Sequence, residues 1–151
     1  MSLEYEAWCV SEPNLGAVAR TASLMMSLVL DVDDRAVTVS EHVDAWHLSW
    51  DDSVFVVVDV SGPEFAEIAG RWTLTAEAGR RGEALDELLS LVVVAAAATV
   101  YGGEVVDEPH RLSKRIMDPK ELVLALARVG SRDPRSLVNG VRVGREGRPG
   151  L

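Results

Sequence analysis

Apolar and polar residues alternate from Leu3 to Val10, with Leu3, Tyr5, Ala7 and Cys9 on one parity and Glu4 and Glu6 on the other. Successive side chains of a strand point to opposite faces, so this stretch predicts a half-buried strand. Ser11-Glu12-Pro13-Asn14 supplies a turn and helix-start signals. From Leu15 onward the period changes: Leu15, Val18, Ala19, Ala22, Met25, Met26 and Val29 fall at helical spacing, and the pattern stops near Asp31-Val32-Asp33-Asp34. Ala36 to Ser40 returns to alternation, with Val37 and Val39 on one face, and Trp46, Leu48 and Trp50 alternate again. Asp51-Asp52 separates that run from Val54-Phe55-Val56-Val57-Val58-Asp59-Val60. A two-residue acidic turn between apolar runs predicts a hairpin, a weaker signal than Asn-Gly because it lacks glycine. The valine run predicts a central strand buried on both faces.

Ser61-Gly62-Pro63 ends that strand, and Glu64 to Gly70 is compatible with a short helix. Arg71 to Glu77 alternates Trp72, Leu74 and Ala76 as a further strand, and Gly79-Arg80-Arg81-Gly82 reads as a loop. Glu83 to Tyr101 predicts the longest helix, stopped by Gly102-Gly103, and its small residues Ala95 to Ala98 allow close approach by a neighbour. Glu104-Val105-Val106-Asp107 is a short strand. Asp118-Pro119-Lys120-Glu121 opens a last helix: the Asp caps, proline suits the first position, and the Glu is placed to reach back as in a capping box. Leu122, Val123, Leu126 and Val129 form its apolar face before Gly130. The order β-α-β-β-β-α-β-α predicts an α+β fold: an antiparallel sheet with helices packed on one face, a ferredoxin-like variant.

A length of 151 residues fits one domain, and 48% hydrophobic with 26% charged residues fits a packed core. Charge divides the chain. Residues 1–130 hold 10 Lys/Arg and 22 Asp/Glu, net −12, whereas residues 131–151 are net +3, with Arg132, Arg135, Arg142, Arg145 and Arg148 against Asp133 and Glu146. We therefore expect a single acidic domain over 1–130 and a flexible Arg/Gly-rich tail over 131–151, in which Leu137, Val138, Val141 and Val143 are able to pin an edge strand. The net charge of −9 argues against nucleic acid and against an anionic membrane surface as partners, since both need a basic face. The opening Met1-Ser2-Leu3-Glu4-Tyr5-Glu6 lacks the basic residues of a secretory signal. The most apolar run, Leu88 to Tyr101, spans about 21 Å as a helix against roughly 30 Å of hydrocarbon, so it predicts a buried core helix. The expected location is the cytoplasm.

Reactive chemistry is sparse. Cys9, the single cysteine, lies on the apolar face of its strand among acidic neighbours, which predicts a buried, inert thiol and no intramolecular disulfide. His42, Asp44 and His47 form an H-x-D-x-x-H string, but on a strand His47 points away from the other two, so polar sheet-edge residues are the favoured account and no metal is expected. No G-x-S-x-G elbow or phosphate-binding loop is present, and no cofactor is expected. Gly79 to Gly82 before a helix offers a weak anion cradle. His110 beside Asp107 and Glu108 suggests a general base, and the carboxylate groups at Glu41 to Asp59 and Glu104 to Glu108 offer pairs for glycosidic acid/base work, with a solvated face as the favoured account.

The acids and tryptophans carry more. Four of the eight aromatic residues are Trp, and Trp46 and Trp50 share a parity flanked by Glu41, Asp44, Asp51 and Asp52. That stripe is either core beneath the helices or a binding face of tryptophan anchors with an acidic rim, suited to a basic protein partner. The opening Met-Ser-Leu-Glu-Tyr-Glu, the first helix, the hairpin-rich middle ending in Arg71-Trp72-Thr73-Leu74, the long helix and Gly102-Gly103-Glu104-Val105-Val106 together resemble small bacterial immunity proteins of the Sit type, in element order over residues 1–108. The resemblance implies a non-enzymatic inhibitor that neutralises a toxin by tight binding. Glu41, Asp44, Trp46, Trp50, Asp51 and Asp52 are the expected binding residues. Two other functions fit the chain: a ferredoxin-like homodimeric ligand-binding or sensory domain, and a small enzyme using His110 with Asp107 or Glu108.

Overall fold

The computed structural model describes residues 4–33, 35–66, 70–79, 83–107 and 112–142. Its elements are β1 (Glu4–Cys9), α1 (Leu15–Leu30), β2 (Val37–Glu41), β3 (Trp46–Trp50), β4 (Val54–Ser61), β5 (Trp72–Ala78), α2 (Ala84–Tyr101), β6 (Glu104–Val106), β7 (Ile116–Met117), α3 (Pro119–Ala127) and α4 (Pro134–Val141), with a 3-10 turn at Pro63–Phe65. The strands form one sheet in the order β2-β3-β4-β5-β1-β6-β7, and each neighbouring pair is antiparallel. The fold is α+β with an open antiparallel sheet. Its centre runs β6-β1-β5, and the segment between the first two helices forms a β2-β3-β4-β5 meander. Four strands, one more than the expected order contains, lie between α1 and α2, and β7 and α4 are further additions.

Alternation decides the two faces. Tyr5, Ala7 and Cys9 of β1, Leu74 and Ala76 of β5, Val56 and Val58 of β4, and Leu48 and Trp50 of β3 are buried on the helix side. Asp59, Thr38 and Ser40 are exposed on the other side, and Phe55 and Val57 are half-buried there. So the Val54–Val60 run is central, as expected, but is covered on only one face. Val57, its one valine off the core parity, is half-buried on the sheet face opposite the helices.

Helix α2 packs on β1, β4, β5 and β6 and is flanked by α1, α3 and α4. Its length and composition would suffice to cross a membrane, but every residue from Asp86 to Ala98 is buried within the protein. A helix apolar all round needs neighbours all round, and here sheet and helices supply them. The small residues Ala95 to Ala98 lie over Cys9, whose S–H donates to the Ala97 carbonyl at 3.7 Å. Burial pushes the Cys9 thiol up to about 11; nearby Arg71 opposes that shift and Glu104 adds to it. At the far end, Gly102 closes the helix at φ 66°. A Cβ on Gly103 would stand 1.6 Å from the Trp8 carbonyl oxygen, so β6 can approach β1 only through a glycine.

The expected caps form with one exception. The Asn14 side chain accepts the Ala17 N–H at 3.0 Å, and Asp118 accepts the Lys120 N–H at 2.8 Å. Glu121 turns away from its own helix start and pairs with Lys114 at 2.8 Å. The segment assigned to a tail from Ser131 onward is ordered differently. Asp133 caps α4, and Leu137, Val138 and Val141 bury on one helical face, so these apolar residues pin the chain as a helix and not as an edge strand. Arg132 donates to the carbonyls of Val29 and Val129, tying this linker to α1 and α3. Residues 143–151 lie outside the described residues.

Candidate protein-interaction surface

The β2-β3-β4 meander carries all six expected binding residues. Its register places Val37 opposite Trp50, Val39 opposite Leu48 and Glu41 opposite Trp46, and on the other side Trp46 faces Val58 and Trp50 faces Val54. Both tryptophans therefore point to the helix side, but their fates differ. Trp50 is 2% exposed and belongs to the core, whereas Trp46, where β3 begins, is 37% exposed. The expectation that Trp50 is a surface anchor is corrected here. It sits between Val37 and Val54 in the sheet and is closed over in the core, so only Trp46 is available to a partner.

The acids divide into two groups. Glu41 and Asp44 are exposed beside Trp46, around a hairpin tip whose Val43 is 99% exposed. Asp51 and Asp52 form the turn at the other end of β3, about 14 Å away at ~3.4 Å per residue. Both have positive φ, 54° and 56°, and the Ser53 N–H donates to the Trp50 carbonyl at 3.0 Å. Two left-handed residues in a row suit the twist of a tight hairpin, and Asp tolerates that region better than most residues with a Cβ. Arg35 pairs with Asp51 at 2.6 Å in the open. Residues 31–52 hold seven carboxylates against this one arginine, a net −6 out of the chain's −9. Such concentration raises the local potential well above what isolated surface acids produce.

On the open face of the same hairpin three rings stack. The His42 and His47 centroids are 3.7 Å apart at 22°, and the His47 and Phe55 centroids 4.5 Å apart at 13°. The bend at the hairpin tip brings the two histidines together, which a straight strand would not. They meet face to face, with Ser40 Oγ 3.3 Å from His42 Nε2. Burial, and next to it the His42 ring, pushes the His47 imidazole below its ordinary value.

The other candidates separate cleanly. Asp107 is fully buried and accepts the Leu112 N–H at 2.8 Å, a structural tie across the loop before β7. Glu108, His110 and Arg80 to Gly82 lie outside the described residues. An open recess of about 190 Å³ lies between the end of α2 and the start of α3, with Gly102, Gly103, Asp118 and Lys120 in its wall. Its acid, Asp118, is already engaged as the α3 cap.

Sequence reasoning missed the buried polar cluster at the start of α2. Glu87, 1% exposed, accepts the Tyr5 hydroxyl at 2.8 Å and an Arg142 guanidinium N–H at 2.5 Å. The sequence signal was Glu87 itself which, with Asp86 beside it, places carboxylates on a helix that is buried all round. No family model, no curated protein and no solved structure matches this chain.

Proposed function

We propose that the chain is a non-enzymatic, cytoplasmic binding protein of the immunity-protein kind, which inhibits a basic partner protein by covering it with the β2-β3-β4 region. The observation that supports this reading most is the net −6 of residues 31–52 in sequence, with Glu41 and Asp44 exposed beside Trp46 and Val43. A local field of that sign accelerates encounter with a cationic surface, and a half-open tryptophan beside a fully exposed valine supplies the apolar contact that slows dissociation. Glu41, Asp44, Asp51 and Asp52 are the steering residues on this reading, and Trp46 the anchor. The resemblance in element order to Sit-type immunity proteins points the same way.

The test is capture from the native host followed by kinetics. Immobilised protein is expected to retain a protein with a basic surface, and the association rate is expected to fall at least tenfold between 50 and 500 mM salt, in line with steered encounters. Glu41→Lys with Asp44→Lys should slow association, while Trp46→Ala should chiefly speed dissociation. A salt-independent association rate would refute the reading.

A further inference from the structure

The hydrogen bonds flanking the β2-β3 ladder fix which way each β2 residue points its backbone. The Asp51 N–H donates to the Ala36 carbonyl at 3.2 Å and the His42 N–H to the Ala45 carbonyl at 2.9 Å. Both pairs involve even positions, Ala36 just before β2 and His42 just after it. In an antiparallel ladder inward and outward groups alternate, so Thr38 and Ser40 bond β3 while Val37, Val39 and Glu41 aim their N–H and C=O groups away from it. Strand β2 is the last strand of the sheet on that side. The Val37 N–H is already satisfied: it donates to Ser23 Oγ of α1 at 2.8 Å, and that hydroxyl donates to the Ala19 carbonyl at 2.7 Å. Helix α1 thus closes one end of the edge. Among the described residues nothing bonds the outward groups of Val39 and Glu41, which form a short open ladder.

We propose that an extended basic segment of the partner adds to the sheet along β2, bonding the outward backbone groups of Val39 and Glu41 and setting its cationic side chains against Glu41 and Asp44. The proposal deepens the docking reading above and rests on it. Charge selects the occupant. Glu41 and Asp44 are exposed at the open end, and the one arginine in residues 31–52 is bound by Asp51. A second copy of this chain would bring the same −6 to the same edge, and symmetric β2-β2 pairing about Val39 would need the Val37 N–H that Ser23 holds. Neutral strands gain the backbone bonds alone. A lysine- or arginine-bearing strand gains the bonds and the field, as sheet-edge recognition requires for both affinity and selectivity.

The test is an amide titration of the ¹⁵N-labelled chain with a capped (Lys-Thr)₄ peptide, and with (Glu-Thr)₄ as comparison. With the lysine peptide the Val39 and Glu41 amides are expected to move downfield and to exchange with water at least fivefold more slowly, while the Val37 amide stays unchanged. Glu41→Gln should raise the dissociation constant severalfold. Val39→Pro, which removes an outward N–H and leaves the bonds to β3 in place, should abolish the response. Shifts near Asp44, Asp51 and Asp52 without protection of Val39 and Glu41 would overturn strand addition while leaving the acidic docking surface standing. An equal response to the glutamate peptide, or no response at all, would also overturn it; salt-independent association with the host partner is what would remove the docking reading itself.

Discussion

Arg142, just past the end of α4, holds Glu87 in the first turn of α2 at 2.5 Å, and the hydroxyl of Tyr5 on β1 holds the second carboxylate oxygen at 2.8 Å. One buried acid therefore joins the sheet, the central helix and the last helix. Burying a carboxylate is costly unless it keeps its partners, so the cluster specifies where α4 docks more than it adds net stability.

Arg142→Met should destabilise the protein by about 2 kcal/mol, at the lower end for a broken buried pair because the arginine is itself partly exposed. Glu87→Gln with Arg142→Met should cost less than the sum of the single changes, since the amide leaves no stranded charge. Ending the chain at Gly130 should do far more. It removes Leu137, Val138 and Val141, each worth roughly 1.5–3 kcal/mol of burial, and uncovers one side of α2. Urea denaturation of the four variants, with Glu87→Gln alone among them, measures all of this; full stability after truncation would show that α4 is dispensable.

Much of the fold was legible because its period is clean. Tyr5, Ala7 and Cys9 announce β1, and Asp118-Pro119 announces α3. The same Asp-Pro start recurs at Asp133-Pro134, with Leu137, Val138 and Val141 at helical spacing, yet the surrounding arginines and glycines favoured a tail reading. Strand β7 has only two residues, too few to carry any period. The site was harder for a physical reason. Trp46 and Trp50 share a parity, and parity says which face a residue takes but not how far the helices extend over that face. Glu87 finds its partners 82 and 55 residues away in sequence, beyond the reach of any local pattern.

The β3-β4 turn stores a small strain. Asp52 sits at φ 56°, where a Cβ costs up to ~1–2 kcal/mol, somewhat less for Asp. Asp52→Gly should therefore raise stability by about 0.5 kcal/mol. Asp51→Gly should gain nothing, because it also releases the Arg35 pair. Opposite behaviour would mean that Asp52 is not left-handed in solution.

At Gly103 the sign reverses. Gly103→Ala forces a methyl into the Trp8 carbonyl, a backbone atom that cannot step aside without parting β6 from β1. A loss of 3 kcal/mol or more is expected, the size of other severe overpacking effects. Thermal unfolding of this single variant is the measurement; a loss under 1 kcal/mol would contradict the close approach of the two strands.

His47 makes stability depend on pH in a defined direction. Its folded pKa lies below the ordinary 6.5, so between the two values the unfolded chain holds the proton more often than the folded one. This contribution is complete above pH 6.5 and is lost as pH falls through the folded value. Urea midpoints at pH 7.5 and 5.5 should differ more for the wild-type protein than for His47→Gln. An identical pH response in the two proteins would exclude His47 as the source.

The two tryptophans of β3 offer the sharpest separation of scaffold from surface. Trp50 is closed into the core beside Val37, so Trp50→Ala should cost 3–5 kcal/mol through lost burial and the cavity left behind. Trp46 keeps over a third of its surface in water, so Trp46→Ala should cost about 1 kcal/mol and leave the sheet register intact. If Trp46 anchors a partner, the ranking inverts for binding: the stable Trp46→Ala protein should release its partner at least tenfold faster, as loss of a central aromatic contact does elsewhere. Conservative Trp50→Phe, which retains most of the core volume, should bind as the wild type does. Equal binding by Trp46→Ala and the wild type would leave the acids as the whole of the docking energy.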